Sequence, residues 1–297
     1  MKVEYLCEER VADFAAYCKK HKMELDDSFL YDEHLANFKS DKENPTYIVT
    51  NHKGRMIAVG SLMLNDYNRR GRKARFRIFH SEEDHLENYQ MLMHELLKHT
   101  NEIDELFLFV PFNNEELAQA MEQLKFMAER YTFLLVRENE EVPEFSLPDE
   151  YEIKPFRLGV DEEAWCTVRN AAFANLKGSE TPITPEMVVK MMTNTEHIEG
   201  ASLILFDKER PVGVIRGAVD EYEDAPIMNI GPIAIVPEYQ GKGLGRILLI
   251  YLLDFAKRTG YERTILCVNA ENERAKALYI QEGFKQVEGV TCYTFRL

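Results

Sequence analysis

This sequence has few cysteines, and their spacing argues against both a disulfide-bonded protein and a zinc-binding one. The 297 residues include five cysteines, an odd number, without a C-x-x-C pair. This pattern argues against a disulfide framework and against a zinc knuckle, and it favours a reducing compartment. We therefore predict a cytoplasmic protein without a metal site.

Long apolar runs are also missing. No stretch approaches the roughly 18 consecutive apolar residues of a membrane-spanning helix, and the first residues lack the apolar core of a signal peptide. Basic residues are outnumbered, since 36 lysines and arginines face 51 acidic residues, for a formal net charge of −15. Such a surface opposes binding to a nucleic-acid backbone or an anionic membrane. It suits a cationic small substrate, although solubility alone also accounts for it.

The length and composition predict two compact domains, at about 150 residues each. Apolar residues make up 45% of the chain and charged residues 29%, which is typical of globular proteins. Segment 138–150 contains six acidic residues and two prolines, without a helical or alternating apolar pattern. We interpret this segment as an exposed linker between a first domain, residues 1–137, and a second domain, residues 151–297.

The second domain alternates strands and helices. Its apolar pattern predicts the order β-α-α-β-β-β-α-β-α-β, an α/β arrangement (α+β, with a mixed sheet) that places helices on both faces. Two strand-to-helix units matter most for function. The first is a strand over 228–236 and a helix over 243–258, and the second is a strand over 263–268 and a helix over 272–282.

The two halves align at an offset of 158 residues, which predicts a duplicated fold. The alignment gives five identities in 17 positions, where chance gives roughly one. The identical pairs are Val110 and Val268, Asn114 and Asn272, Glu115 and Glu273, Gln123 and Gln281, and Phe126 and Phe284.

A glycine-rich turn lies between the strand over 228–236 and the helix that follows it. Three glycines remove side chains where the backbone turns: Gly241, Gly243 and Gly245. Several N–H groups can then converge at the helix N-terminus, which suits a pyrophosphate, and Lys242 and Arg246 add positive charge. Neither G-x-x-x-x-G-K-[ST] nor G-x-G-x-x-G is present, and a tight turn without a ligand is the alternative interpretation.

A second segment, residues 266–284, strengthens the functional interpretation. Asn272 begins the predicted helix, and Tyr279 follows two turns later on nearly the same face. A tyrosine on a short helix is also a common packing residue, so both interpretations stay open.

Together these segments resemble the GCN5-related N-acetyltransferases (GNAT), which transfer an acetyl group from acetyl-CoA to an amine. The signature Gln/Arg-x-x-Gly-x-Gly/Ala is matched by Gln240, Gly243 and Gly245. The signature Asn, six residues, Tyr, then Gly-Phe is matched by Asn272, Tyr279, Gly283 and Phe284. The resemblance covers residues 151–297.

The resemblance implies a role for each matched residue. The backbone of residues 233–235 would pair with the pantetheine arm, residues 241–246 would hold the pyrophosphate, Asn272 would contact the CoA arm, and Tyr279 would protonate the departing thiolate. No covalent enzyme intermediate is required. The predicted catalytic residue is Tyr279, and the predicted cofactor-binding residues are Ile233, Ala234, Ile235, Gln240, Gly241, Lys242, Gly243, Leu244, Gly245, Arg246 and Asn272.

The implied function is an N-acetyltransferase that uses acetyl-CoA, without a metal, on a primary amine of a small molecule or a protein. A non-catalytic acyl-CoA sensor or scaffold is the alternative, and a longer acyl donor is not excluded. The general base is not evident, because Asn229 and Gly231 occupy the strand where family members often have a carboxylate. Glu221, Glu223 and Asp224 are either base candidates acting through a water or a solvated acidic turn.

The first half lacks the matching chemistry. At the same offset, Gln240, Gly243 and Gly245 fall on Glu82, His85 and Glu87, so the loop 80–85 is acidic and bulky where a pyrophosphate would lie. Tyr279 falls on Met121, which has no proton to donate. We predict a degenerate GNAT-like domain that has lost CoA binding, in a tandem arrangement that resembles mycothiol synthase-like proteins. It would act as an internal pseudo-dimer partner that walls one side of the acceptor cleft, and the alternative is that it only buries apolar surface. The predicted assembly is a monomer with this internal pseudo-dimer, or a homodimer.

Overall fold

The computed structural model of the protein describes residues 1–83, 85–138 and 141–297, apart from the side chain of Glu33. Asp84 of the acidic loop and residues 139–140 of the predicted linker lie outside the described residues. The chain divides into a first unit, residues 1–132 with 288–297, and a second unit, residues 133–287. This division differs from the sequence-based one, because the final ten residues join the first unit and the chain enters the second unit inside a strand.

The first unit contains strands β1 (Lys2–Tyr5), β2 (Thr46–Thr50), β3 (Met56–Met63), β4 (Lys73–Ser81) and β5 (Glu105–Pro111), with helices α1 (Val11–His21), α2 (Asp32–Ala36), α3 (Asp66–Arg70), α4 (Leu86–Leu96) and α5 (Glu115–Gln123). Strand β6 (Met127–Arg137) then leads into the second unit.

The second unit contains strands β7 (Tyr151–Pro155), β8 (His197–Asp207), β9 (Arg210–Tyr222), β10 (Ala225–Ile235) and β11 (Thr264–Asn269), with helices α6 (Glu162–Phe173), α7 (Pro185–Thr193), α8 (Leu244–Arg258) and α9 (Glu273–Gln281). Strand β12 (Lys285–Arg296) returns the chain to the first unit. None of the helices within the described residues combines the length and the apolarity needed to cross a membrane.

The two units have the same sheet topology. In the first, the order is β1-β2-β3-β4-β5-β12, and in the second it is β7-β8-β9-β10-β11 followed by the end of β6. In each unit the fourth and fifth strands are parallel. The sixth strand of the first unit comes from the C-terminus, since Val290–Arg296 pair antiparallel with β5. The predicted duplicated α/β fold with a mixed sheet is therefore confirmed.

Equivalent residues of the two repeats have the same structural roles. Asn114 caps α5 by accepting a hydrogen bond from the N–H of Leu117, and Asn272 caps α9 in the same way. Phe126 lies three residues after the end of α5, and Phe284 lies three residues after the end of α9. Both phenylalanines are buried in the core. The duplication is therefore visible in the capping contacts as well as in the sheet order.

Helix α8 anchors the core of the second unit and fixes the position of the glycine-rich turn. Its buried residues recur every three or four positions, so one face is apolar along the whole helix. That face packs within the cluster that includes Trp165 of α6 and Leu266 of β11. The N-terminus of α8 is consequently held at the edge of the sheet where β10 ends.

Candidate active site

Strands β10 and β11 separate in the middle of the second unit. They pair in parallel at Met228–Thr264 and Asn229–Ile265, and β11 then continues to Asn269. Beyond that point the register of β10 with β9 shifts by one residue between Ile230 and Ile233. Such a bulge bends the strand and increases its twist. Residues 233–235 thus border a wedge between two strands, the place where an extended ligand arm can add to a sheet.

The glycine-rich turn has the backbone geometry that requires glycine. Gly241 and Gly243 lie in the left-handed region, with φ of 85° and 79°, where other L-residues are strained. Apart from its two chain neighbours, no heavy atom of the described residues lies within 4 Å of a Cβ atom added at Gly243. The concave side of the turn is therefore open to a ligand.

The start of α8 offers unpaired backbone donors to that ligand. Gly243 is the N-cap of the helix, and no side chain within the described residues caps it. The first N–H groups of a helix, here those of Leu244, Gly245 and Arg246, have no partner within the helix. Together with the helix dipole they form a site for an anion.

The two cations that the sequence places beside this turn are both held by protein contacts. Arg246 donates from Nε to Oε1 of Glu282 at 2.5 Å, and the Glu282 side chain is buried. The Lys242 ammonium lies 4.4 Å from the ring centre of Tyr239. Because Glu282 balances the guanidinium charge, the contribution that Arg246 offers to an anion in this structure is its backbone N–H.

Sequence reasoning missed a third cation. The Nη2 atom of Arg274 lies 3.4 Å from the position of a Cβ atom built on Gly241. Arg274 is exposed in the first turn of α9, so its charge faces the glycine-rich turn. Its place between the two motif residues Asn272 and Tyr279 was the available signal. Only the folded arrangement of α8 and α9 shows that it lines the turn.

Helix α9 carries the two remaining predicted residues. The side-chain oxygen of Asn272 accepts a hydrogen bond from the N–H of Ala275 at 3.2 Å, so the structure assigns Asn272 a capping role. Tyr279 is 9% exposed and packs edge-on against Phe284, with ring centres 6.0 Å apart. Within the described part of the chain its hydroxyl has no hydrogen-bond partner.

Burial changes the acidity of this phenol. Loss of hydration raises the pKa of Tyr279 to about 12, because the charged phenolate is disfavoured in an apolar environment. The group is therefore protonated at neutral pH and has a proton to give. The ring serves as a packing residue, and the hydroxyl remains free for chemistry.

A carboxylate next to the separating strands was also missed by sequence reasoning. Asp220 of β9 accepts a hydrogen bond from Nδ2 of Asn229 at 2.7 Å and another from the N–H of Glu221 at 2.8 Å. Asn229 is the last residue of β10 that pairs with β11, so Asp220 lies where the wedge begins. The strand alternation Ala218, Asp220, Tyr222 was the available signal, because it places the carboxylate on the same face as Asn229.

The other acidic candidates belong to the hairpin between β9 and β10. Glu223 and Asp224 have φ of 54° and 57° in the turn, and Glu223 pairs with Arg263 at 3.0 Å. Glu221 is exposed. These three residues fit the solvated acidic turn, which leaves Asp220 as the base candidate.

In the first unit, the loop 80–85 corresponds to the glycine-rich turn, and it contains a negative charge. Glu82 accepts hydrogen bonds from Lys20 at 2.6 Å, from Arg55 and from His21 at 3.1 Å. Although burial opposes ionisation, these contacts lower the pKa of Glu82 to about 2. His85, the N-cap of α4, has a φ of −113° in place of the left-handed glycine. An ionised acid thus lies at the position that corresponds to the glycine-rich turn.

Comparisons with known proteins connect this geometry to a family. The model of the Acetyltransferase (GNAT) family matches residues 163–284. The chain is similar to the mycothiol acetyltransferase of Kytococcus sedentarius, with 28% identity over 146 residues, 49% of this chain and 49% of that protein. It is 30% identical over 155 residues to the mycothiol acetyltransferase of Kocuria rhizophila, 48% of each chain. The matches thus span about half the length of these relatives.

Solved structures resemble the whole chain. A GCN5-related N-acetyltransferase from Sphaerobacter thermophilus has a TM-score of 0.70 at 14% identity, covering 99% of this chain and 95% of that one. A tandem GNAT protein from the clavulanic acid biosynthesis pathway has a TM-score of 0.69 at 10% identity, covering 99% and 98%. At these identities the likeness establishes the fold alone.

Proposed function

We propose that this chain, a tandem-domain member of the GNAT superfamily, uses its second unit to transfer an acetyl group from acetyl-CoA to a primary amine. The observation that carries the proposal is the left-handed, open turn at Gly241 and Gly243, directly before the uncapped N-terminus of α8. The family match and the mycothiol acetyltransferase relatives support acyl transfer. The amine, which belongs to a small molecule or a protein, is part of the proposal.

Different groups of the chain bind different parts of acetyl-CoA. The N–H groups at the start of α8 hold the pyrophosphate, and Arg274 faces the same turn with a cation. The backbone of residues 233–235 pairs with the pantetheine arm along the wedge between β10 and β11. In this proposal the thioester lies toward the start of the wedge, within reach of Asp220 of β9 and Tyr279 of α9.

The reaction then needs two proton transfers. Acetyl-CoA supplies the acyl carbon, and attack by the amine forms a C–N bond while the C–S bond breaks. Asp220 accepts the proton that the amine loses, directly or through one water, and Asn229 keeps the carboxylate in place. Tyr279 gives its phenolic proton to the sulfur, and solvent restores that proton afterwards. No enzyme nucleophile is required, so the free cysteines play no part in this scheme.

The test is thiol release from acetyl-CoA by the full chain in the presence of a panel of amines. We expect turnover with at least one amine class. Asp220→Asn should lower kcat/KM for that amine by about 10²–10⁴-fold, the usual contribution of general base catalysis, with an unchanged Kd for acetyl-CoA. The reason is that the amide cannot accept the proton although it keeps the contact to Asn229.

The matched control is Glu221→Gln, which removes the adjacent exposed carboxylate and should leave kcat/KM within about twofold. Equal losses in both variants would contradict the role of Asp220. Tight acetyl-CoA binding without turnover on any amine would favour the sensor over the enzyme. Parallel assays with propionyl- and succinyl-CoA measure the acyl preference of the same site.

A further inference from the structure

The first unit contains a compact cluster of metal-ligating side chains. His21 ends α1, Glu24 lies in the short helix Lys22–Glu24, and His80 lies near the end of β4. One ligand atom from each of the three lies within 4.8 Å of the others. The side chains of His21 and His80 are 7% and 8% exposed, whereas the Glu24 side chain reaches solvent. The cluster therefore has two buried nitrogens and a carboxylate at its mouth.

The two ring nitrogens of His80 have different partners. The hydroxyl of Tyr17 donates to the carbonyl of Ile57 at 3.1 Å and lies 2.8 Å from Nδ1 of His80. Nε2 of His80 faces Oε2 of Glu24 at 3.2 Å. In the tautomer in which Nδ1 donates to Tyr17, the lone pair of Nε2 is available to a cation beside the Glu24 carboxylate.

His21 is oriented toward the same point. Its Nε2 lies 3.1 Å from Oε1 of Glu82, a carboxylate that can only accept, so this nitrogen carries a proton. Its Nδ1 lies 3.2 Å from both oxygens of Glu24. A histidine that donates one N–H to a carboxylate and presents the other nitrogen to a shared centre is the usual arrangement of a metal-bound imidazole.

We propose that Nδ1 of His21, Nε2 of His80 and the Glu24 carboxylate bind a divalent transition-metal ion, best fitted by Zn²⁺. Two histidines and one glutamate with a fourth position for water are a known zinc ligand set. Tetrahedral zinc needs ligand atoms about 3.4 Å apart, and both imidazoles already lie 3.2 Å from Glu24. Rotation of the exposed Glu24 and closure of the two rings complete the site.

The site differs from the sequence-based expectation that the protein has no metal. That expectation rests on the absence of zinc-knuckle spacing, whereas His21 and Glu24 form a short pair whose third partner, His80, is brought in by β4. The cluster adjoins Glu82, which corresponds to Gln240 in the repeat. The first unit would thus bind a cation close to the position in its fold that corresponds to the proposed anion site of the second unit.

The test is calorimetric titration of the full chain with Zn²⁺ after removal of metals by a chelator. We expect one ion per chain with a Kd below about 1 µM. Glu24→Gln and His80→Gln should each weaken binding by at least about 100-fold. Glu82→Gln removes a carboxylate that orients His21 and also pairs with Lys20 and Arg55, and it should weaken binding by about 10–100-fold. The Co²⁺-loaded protein should show the visible absorption of a four-coordinate site.

The matched control is His99→Gln, which replaces a half-buried histidine of the same unit outside the cluster, and it should keep full affinity. Glu24 is exposed, so Glu24→Gln tests the site even if His80→Gln does not fold. Absence of Zn²⁺ binding with a Kd below about 100 µM would overturn the proposal, as would equal affinity in Glu24→Gln and the wild type. Because the readout is metal binding, the result is independent of acetyltransferase activity.

Discussion

Replacement of Gly243 by glutamate is expected to weaken acetyl-CoA binding by at least about 100-fold, or about 2.7 kcal/mol. Gly243 has a φ of 79°, and within the described structure no side chain beyond its chain neighbours lies within 4 Å of its Cβ position. A non-glycine residue in this conformation is strained by about 1–2 kcal/mol. Because the backbone shifts to relieve that strain, the N–H groups at the start of α8 are displaced. The new carboxylate also stands at the positive end of α8, where it competes with the pyrophosphate. Isothermal titration with acetyl-CoA measures the effect.

A matched variant separates backbone strain from loss of the anion site. Gly260, just beyond the other end of α8, has a φ of 89°, and among the described residues only its chain neighbours lie within 4 Å of its Cβ position. Gly260→Glu therefore introduces the same residue with the same type of strain, far along the helix from the turn. We expect it to keep wild-type affinity. Equal affinity losses at both positions would show that strain, and not the anion site, controls binding.

Tyr279→Phe is expected to lower kcat by about 10²–10⁴-fold while the Kd for acetyl-CoA stays the same. The substitution removes a hydroxyl that has no hydrogen-bond partner in the described part of the chain, so the folded state loses no contact. What disappears is the proton for the departing thiolate. Steady-state rates combined with direct binding measurements distinguish this effect from a loss of affinity.

The pH dependence adds an independent check. The pKa of Tyr279 is raised to about 12, so the protonated form required of an acid persists as pH rises and declines only near that value. The profile of kcat/KM should therefore show no decline from Tyr279 below about pH 11. Tyr251→Phe, at a half-buried tyrosine of α8, is the matched control and should retain activity. Full turnover in Tyr279→Phe would remove the phenol from the mechanism.

The parts of the fold that the sequence predicts well are those with local causes. Helix α8 was expected from residue 243 and begins at Leu244, because left-handed glycines end the preceding turn and an apolar stripe begins there. Helix α9 was expected from Asn272, and that residue is its N-cap. Both features depend on a few neighbouring residues, so spacing alone carries the information.

The parts that the sequence did not predict arise from contacts between distant residues. The assignment of residues 288–297 to the first unit follows from strand pairing with β5, 180 or so positions earlier, which no local pattern encodes. The ion pair of Arg246 with Glu282 and the contact of Asp220 with Asn229 likewise join separate elements. Each motif residue was located by its spacing, whereas the partners that modify its chemistry required the fold.

Hydrogen exchange measured by mass spectrometry with and without acetyl-CoA examines the proposed anion site most directly. The amides at the start of α8 have no intrahelical partner and should exchange quickly in the free protein. Acetyl-CoA should slow exchange in a peptide covering residues 240–247 and leave residues 80–83 and 85–88 of the first unit unchanged. Unaltered exchange over 240–247 at saturating acetyl-CoA, or protection confined to the first unit, would contradict the assignment of the cofactor site to the second unit.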